Sequence, residues 1–349
     1  MAFLRRFTFP YLLLVFIPIS IVLWLLRVNE IFICVSALIG IVPLTTLIAQ
    51  ATQDLSARTS TIVGSLMNAT FGNTIEFTVA IFAIRAGLLE MVRSTIIGSI
   101  IINILLLIGL SMIFGGIRFK EQTFNREAAS ISSTMLLIAV AGLVLPTIYT
   151  LITGKSAVIM SQAVSITLGI TYVFSLVFVL FTHSFLFEAR RVVSDRVVWS
   201  VRKSLIVLIV SIAAAALEAE VLVSSLQPLF DRTSLSQTFM GLVVIAVISN
   251  ISEHLTAIRF GLRDNITLSL EIGMNSAIQI ALFVVPVLVL ISPLFGETLT
   301  LAFAPFQMIA LVLAVLITNY ISNDGICNWL EGVQLVAVYF LIAIAFYFM

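Results

Sequence analysis

The chain has 349 residues, of which 61% are hydrophobic and only 10% charged, with a formal net charge of +1. A soluble domain carries roughly 25% charged residues. That deficit, with a mean hydropathy of +1.20, excludes an ordinary water-soluble globule, and the near-neutral balance without basic runs among aromatics gives no case for nucleic-acid binding.

Arg5 and Arg6 precede an apolar run that reaches Leu26. The run is too long for the core of a signal peptide and no small-residue cleavage site follows it, so it reads as a retained first span. A membrane-crossing helix needs about 20 mostly apolar residues. Segments near 10–28, 31–51, 61–84, 94–115, 128–150, 161–182, 203–225, 237–259, 270–292, 300–321 and 331–348 meet that test. They predict an all-α integral membrane protein of eleven transmembrane helices. Unbroken apolar runs replace the alternation that a barrel strand would show. The connections are short, which leaves no room for a sizeable soluble domain.

One side of the predicted membrane collects thirteen Lys and Arg, from Arg5 and Arg6 through Arg58, Arg118 and Arg196 to Arg259 and Arg263. The other side has five: Arg27, Arg85, Arg93, Lys155 and Arg232. Positive residues favour the cytoplasm, so the N-terminus is expected inside and the C-terminus outside. The short N-terminus, without an extended regulatory tail, points to a prokaryotic plasma membrane. Cys34 and Cys327 lie far apart in apolar surroundings and read as buried, inert thiols, with neither a disulfide framework nor a zinc pattern available.

The third span contains Asn73-Thr74-Ile75-Glu76, and the eighth contains Asn250-Ile251-Ser252-Glu253, 177 positions later. The same offset pairs Ala80 with Ala257, Ile81 with Ile258 and Ser99 with Ser276. The two spans are five helices apart, an odd number, so the copies are expected to lie oppositely in the membrane. Inverted repeats with a substrate site near the midplane are a recurrent plan of secondary transporters. The predicted organisation is an extra N-terminal helix at 1–30, a first five-helix repeat at 31–182, a cytosolic linker at 183–202 and a second five-helix repeat at 203–349.

Carboxylates inside spans are costly and mark functional sites by default. Glu76 and Glu253 each have apolar sequence on both sides and each follows an asparagine by three residues, a spacing that puts both side chains on one helix face. Their structural alternative is a buried acid paired with Arg, for which no intramembrane cation offers itself. Around them stand Gly72, Ser99 and Asn103 at i, i+4, and Ser276 and Gln279 at i, i+3, beside Asn275. Such polar residues also glue membrane helices together. Their symmetric placement beside paired carboxylates favours an ion site. Carboxylate, amide and hydroxyl oxygens, with backbone carbonyls freed by a break at Gly72, form a hard-oxygen cage suited to Ca²⁺, which takes about six to eight oxygens. Thiolates are absent, which disfavours a soft transition metal. An ionised carboxylate without a partner is costly in hydrocarbon, and either a proton or a cation relieves that cost. Two protons or one dication neutralise the pair, and this competition is antiport in its simplest form.

The stretch from Met67 to Glu76, MNATFGNTIE, resembles the first signature of the Ca²⁺/H⁺ (cation/proton) exchangers of the Ca²⁺:cation antiporter superfamily. Gly241-Leu242-Val243-Val244, leading to Ser249–Ile258, resembles the second, and the runs Gly98–Asn103 and Ser276–Phe283 are similar to the helices that follow. The likeness covers essentially the whole chain, extra first span included. It implies export of cytosolic Ca²⁺ driven by a proton gradient, with alternating access by sliding of a gating helix pair. Metal ligands would come from Glu76, Glu253, Asn73, Asn250, Gly72, Ser99, Asn103, Ser276 and Gln279, and proton coupling from Glu76, Glu253, His254 and Glu220. Three departures stand out. Ser249 replaces a usual glycine, which puts the second helix break in question. Thr74-Ile75 and Ile251-Ser252 replace small residues. The loop from Thr182 to Ser200 holds only Glu188 and Asp195 against Arg190, Arg191 and Arg196, which argues against an acidic Ca²⁺-sensing helix.

Glu220 resembles a family glutamate on the ion path and ranks above its neighbour Glu218. His254 is either a proton-linked partner of Glu253 or a neutral packed ring. His183 reads as a span-end residue, and Asp54, Asp264 and Glu271 are expected in solvent near loops. The alternative within the superfamily is a Na⁺/Ca²⁺ exchanger, whose Pro-Glu and Asp-bearing motifs are missing from these signature segments. A channel lacks a pore-loop pattern to support it, and an intramembrane enzyme lacks a metal or triad motif. No enzymatic activity and no cofactor are expected. The partners are the transported Ca²⁺ and protons and the lipid bilayer.

Overall fold

In hydrocarbon every backbone N–H and C=O must be satisfied within its own segment, and the apolar runs accordingly fold as helices. The computed structural model describes residues 9–183 and 198–348. The helices in chain order are α1 (Leu13–Leu25), α2 (Glu30–Ser56), α3 (Thr61–Phe71), α4 (Thr74–Arg85), α5 (Leu89–Phe119), α6 (Arg126–Thr153) and α7 (Val158–Thr182). They continue with α8 (Val201–Arg232), α9 (Gln237–Ser249), α10 (Ile251–Gly261), α11 (Ile266–Phe295), α12 (Pro305–Ile321) and α13 (Trp329–Tyr347). Among the described residues seven helices are long and apolar enough to cross a membrane, or eight if α9 and α10 form one span bent by 58°. α1 and α12 are shorter apolar helices, and α3 and α4 are separated at Gly72–Asn73. Most of the linker, including Glu188, Arg190, Arg191, Asp195 and Arg196, lies outside the described residues, as do Arg5 and Arg6.

Local chemistry sets the helix starts. Asn29 Oδ1 accepts from Ile31 N at the head of α2, Asn125 Oδ1 from Ala128 N at the head of α6, and Ser200 Oγ from Lys203 N at the head of α8. Each side chain satisfies one of the donors a helix start leaves open. Among the described residues the strands form one two-stranded antiparallel ribbon, β1 (Glu121–Thr123) with β2 (Ile326–Asn328), in register Gln122 to Cys327. Gln122 is buried and donates to Gly261 O and Asp264 Oδ1. Asp264 is exposed, as expected.

The chain divides into two compact units, Met1–Leu88 with Asp195–Ser236 and Leu89–Ser194 with Gln237–Met349. In the first unit α2 and α8 run antiparallel and are pinned along their length. Arg232 bonds Glu30 at one end. At the other, the carboxylate of Asp54 accepts from Val198 N and Trp199 N, both at 3.0 Å, and Arg58 donates to the Trp199 carbonyl. Asp54 is therefore buried rather than solvated, because it answers two backbone donors ahead of α8. Midway, Glu218 of α8 is fully enclosed, accepts from Ser20 Oγ of α1 at 2.6 Å and lies against Gly40 of α2.

In the second unit α5 and α9 cross with almost no separation. A Cβ on Gly98 would fall 2.3 Å from Leu242 O, and one on Gly241 would fall 2.5 Å from Met91 O. Small residues permit this kind of approach between membrane helices. α5 and α11 each carry a π-helical segment, Ile102–Leu107 and Ile280–Val284. Each adjoins the polar positions singled out in its repeat: Ser99 precedes the first and Asn103 lies within it, while Ser276 and Gln279 precede the second. Such bulges re-aim side chains and are frequent at functional sites. Glu271 of α11, expected in solvent, is also buried. It lines a small cavity with Asn125, Ser132 and Thr267.

Candidate functional site

The two Asn-x-x-Glu sequences fold alike. Each asparagine stands in a helix break, and each glutamate sits in the first turn of the helix that follows, Glu76 in α4 and Glu253 in α10. The expected picture of Asn and Glu on one helix face is thus corrected: the asparagine belongs to the break and only the glutamate is helical. The two breaks carry the same side-chain bond. Asn73 Nδ2 donates to Ala69 O at 3.1 Å and Asn250 Nδ2 donates to Ala246 O at 3.0 Å. Both acceptors lie four residues back, on carbonyls at the end of the preceding helix; Ala246 O also takes the Asn250 backbone N–H at 3.4 Å, so the amide there reinforces the closing turn.

This arrangement also resolves the question raised by Ser249. Asn250 has φ −97° and ψ 11°, and Asn73 φ −101° and ψ 21°, so neither break needs a left-handed residue. The second break forms without glycine. Gly72 answers a local crowding instead: a Cβ there would lie 2.4 Å from Asn68 O.

A glutamate in the first turn of a helix faces the positive end of the helix dipole and N–H groups with no partner inside the helix. The same electrostatics lets half-helix ends hold ions at membrane depth. Glu76 is buried and Glu253 half-buried, and Ser252 Oγ donates to Glu253 Oε2 at 2.9 Å. His254 is buried with Nδ1 2.8 Å from the Asn250 carbonyl, which ties its ring to the break.

Within the second unit four predicted residues come together. Asn250 Nδ2 also approaches Ser99 Oγ at 3.2 Å, and Asn103 Nδ2 donates to Asn250 Oδ1 and to Ser276 Oγ, both at 2.9 Å. Ser99, Asn103 and Asn250 are buried and Ser276 half-buried. Gln279 is half-buried three residues beyond Ser276 on α11. In the first unit stand Gly72, Asn73 and Glu76. Among the described residues no three His, Cys, Asp or Glu side chains gather as a metal centre. The ligand candidates are thus single carboxylates among amide and hydroxyl oxygens, a hard-oxygen set.

The ranking of Glu220 over Glu218 does not match their surroundings. Glu218 is the enclosed one, whereas Glu220 is exposed on α8. His183 closes α7, its ring stacked on Phe178. Two features of the second unit escaped the sequence reading. One is the set around Glu90, which accepts from Gln307 Nε2 and Thr238 Oγ1. The other is the bond from Gln307 Nε2 to Ser94 Oγ. A glutamine in an apolar span, two residues after a helix-opening proline, was the available signal.

The chain matches the family described as "Sodium/calcium exchanger protein" over residues 29–190 and 203–348. It is similar to a protein of Aphanothece halophytica named Ca(2+)/H(+) antiporter, 37% identical over 366 aligned residues that cover 99% of this chain and 98% of the relative. Among solved structures it is similar to the Ca²⁺/H⁺ antiporter YfkE, with a TM-score of 0.86 and 30% identity over 98% of this chain and 99% of that one. A sodium-calcium exchanger structure, 18% identical with a TM-score of 0.53 over 94% and 99% of the two chains, shares the fold alone.

Proposed function

The chain belongs to the sodium/calcium exchanger protein family, within its Ca²⁺/H⁺ exchangers, and we propose that it is a secondary active antiporter exporting cytosolic Ca²⁺ in exchange for protons by alternating access. The observation that carries the reading is the doubled break, an amide-capped helix end followed at once by a helix that opens on a glutamate.

Ca²⁺ and protons compete for the carboxylates of Glu76 and Glu253. When a dication is bound, the two carboxylates balance its charge, and amide, hydroxyl and backbone oxygens from Asn73, Asn250, Gly72, Ser99, Asn103, Ser276 and Gln279 supply further coordination. When protons are bound, the carboxyl groups are neutral and the dication is released. A carboxylate left bare in hydrocarbon is the costly state, so the carrier changes facing with one cargo or the other and seldom with neither. His254, fixed to the Asn250 carbonyl, and Glu220 are assigned to proton coupling beside Glu253 and Glu76. No cofactor and no enzymatic step enter this cycle.

The proposed architecture is eleven spans: the extra helix α1, then two inverted five-helix repeats joined by the cytosolic linker at 183–202. The broken pairs α3–α4 and α9–α10 each count as one span. The N-terminus faces the cytoplasm and the C-terminus the outside of a prokaryotic plasma membrane. The π segments Ile102–Leu107 and Ile280–Val284, nearly superposed by the 177-residue offset, support the repeat. Sodium-driven exchange remains the alternative. The higher identity to the Ca²⁺/H⁺ antiporters, against likeness of fold alone to the sodium-calcium exchanger, favours protons.

The test is transport in everted membrane vesicles. An imposed proton gradient should drive accumulation of radiolabelled Ca²⁺, and Glu76→Gln or Glu253→Gln should abolish it. Uptake that follows a sodium gradient and ignores pH would select the alternative. Flux without a counter-ion would overturn antiport.

A further inference from the structure

The polar network of the second unit is directional, and one backbone group sets its direction. The Ala246 carbonyl can only accept, so the amide of Asn250 that lies 3.0 Å from it must be Nδ2. Asn250 Oδ1 therefore points the other way, to Asn103. Facing an acceptor, Asn103 must present Nδ2, which also reaches Ser276 Oγ. The cost of this choice is visible: Asn103 is fully buried, and its Oδ1 has no hydrogen-bond partner among the described residues. A buried acceptor left open is disfavoured. The arrangement stands because the neighbours demand the donor.

Asn250 Oδ1 and Ser276 Oγ are two of the oxygens that the antiport reading offers to Ca²⁺. Both lie 2.9 Å from a single N–H₂ group. We propose that the side-chain amide of Asn103 acts as an internal competitor of the transported cation, its Nδ2 donating to the two oxygens that the cation must take over, so that it weakens binding and speeds release. The inference rests on the antiport reading and deepens it, replacing the coordinating role given above to the Asn103 oxygen with a donor role for its nitrogen. On this view Asn103 sets affinity and turnover as a positioning residue that acts through Asn250 and Ser276. A direct ligand role for its own oxygen predicts the opposite sign. The device belongs to one repeat only, because the position equivalent to Asn103 in the second repeat is Ile280.

The competition has a measurable direction. Removing the amide frees both oxygens, and water, which a cation displaces readily, takes the place of a fixed donor. Proton-driven Ca²⁺ uptake in everted vesicles, normalised to folded protein by size exclusion, should show the half-saturating Ca²⁺ of Asn103→Ala falling about tenfold, equivalent to about 1.4 kcal/mol. The maximal rate should fall with it and the dependence on the proton gradient should persist. Asn103→Leu, close to Asn in size and without a donor, should move the same way, and Asn103→Ser covers poor expression of either. A half-saturating Ca²⁺ that rises marks Asn103 as a ligand and overturns the proposal. So does a lower maximal rate with unchanged half-saturation, or failure of all three variants to fold, either of which marks a structural role. Absence of proton-driven uptake in the wild-type protein would instead sink the antiport reading itself, so the two failures are distinguishable.

Discussion

Ser20 Oγ lies 2.6 Å from Glu218 Oε1, and neither residue is exposed to any degree. The bond joins α1, the helix outside the proposed repeats, to α8. The other carboxyl oxygen of Glu218 sits where a Cβ on Gly40 would be 3.2 Å away, so α2 closes over the same group. One side chain thus fastens three helices of the first unit. Glu218→Gln retains the shape and an acceptor for Ser20 and should lower stability by about 1 kcal/mol or less. Glu218→Ala removes the link between the helices and leaves a gap beside Gly40, although Ser20 Oγ keeps the Ile17 carbonyl at 2.8 Å, and should cost about 1–3 kcal/mol. Thermal unfolding in detergent separates the two. Equal melting temperatures for the alanine variant and the wild type would remove Glu218 from this role.

The crossing of α5 and α9 should be among the least tolerant places in the protein. A methyl group on Gly98 would meet backbone atoms of Leu242 at 2.3 and 2.6 Å, which no rotamer change relieves. Gly98→Ala must therefore push the two helices apart, and it carries Ser99 away from Asn250. Overpacking of this kind typically costs about 1–3 kcal/mol, and Ca²⁺ uptake should be lost with it. Gly169→Ala is the matched control, because a Cβ there meets nothing nearer than 4.0 Å. Normal transport by Gly98→Ala would show that the close approach is dispensable.

Only the first helix break was legible in the sequence, at Gly72; Ser249 put the second in question, yet both form, each with an asparagine amide bonded to a carbonyl four residues back. An asparagine can cap a carbonyl four residues back whatever surrounds it, and for that reason Ser249 in place of glycine does not prevent the second break. The ranking of Glu220 above Glu218 rests on resemblance, whereas the sequence carries a signal the other way: Ser204, Ser211, Glu218 and Ser225 recur every seven residues along α8, and all four are buried. Leu217 is more than half exposed while Glu218 beside it is fully enclosed. Asp54 and Glu271 were misplaced because nearness to a loop suggests water and only the tertiary structure shows what covers them. The π segments were also invisible. They arise from a one-residue surplus in a helix, which leaves the hydropathy of the run unchanged.

Cys327 offers a reporter outside the spans. Its thiol lies in β2, and burial, reinforced by the carboxylates of Glu331 and Asp324, pushes it up to about 12. A raised thiol stays protonated at neutral pH, and the thiolate is the nucleophile. In a Cys34→Ser background, Cys327 should resist N-ethylmaleimide at pH 7.5 in the folded protein and react once the protein is denatured. The rate in the folded state should rise roughly tenfold per pH unit as long as the protein survives. Rapid labelling of the native protein at neutral pH would contradict the buried ribbon.

If protons and Ca²⁺ share Glu76 and Glu253, equilibrium binding must carry a proton count that transport assays alone do not reveal. Metal binding to protonated ligands releases protons, and the pH dependence of affinity equals the number released. While both carboxyl groups are protonated, each rise of one pH unit should lower the half-saturating Ca²⁺ by about a hundredfold. The dependence should flatten once both are ionised. The sign is fixed by the competition: acid weakens binding and never strengthens it. Glu253→Gln leaves one titrating carboxyl group, so its weaker binding should change by no more than about tenfold per unit, and Glu76→Gln should behave the same way. Binding of radiolabelled Ca²⁺ to purified protein between about pH 5 and 9 supplies the slopes. Should both variants keep the steep wild-type dependence, the exchanging protons sit elsewhere, and the carboxylates at the two breaks serve the cation alone.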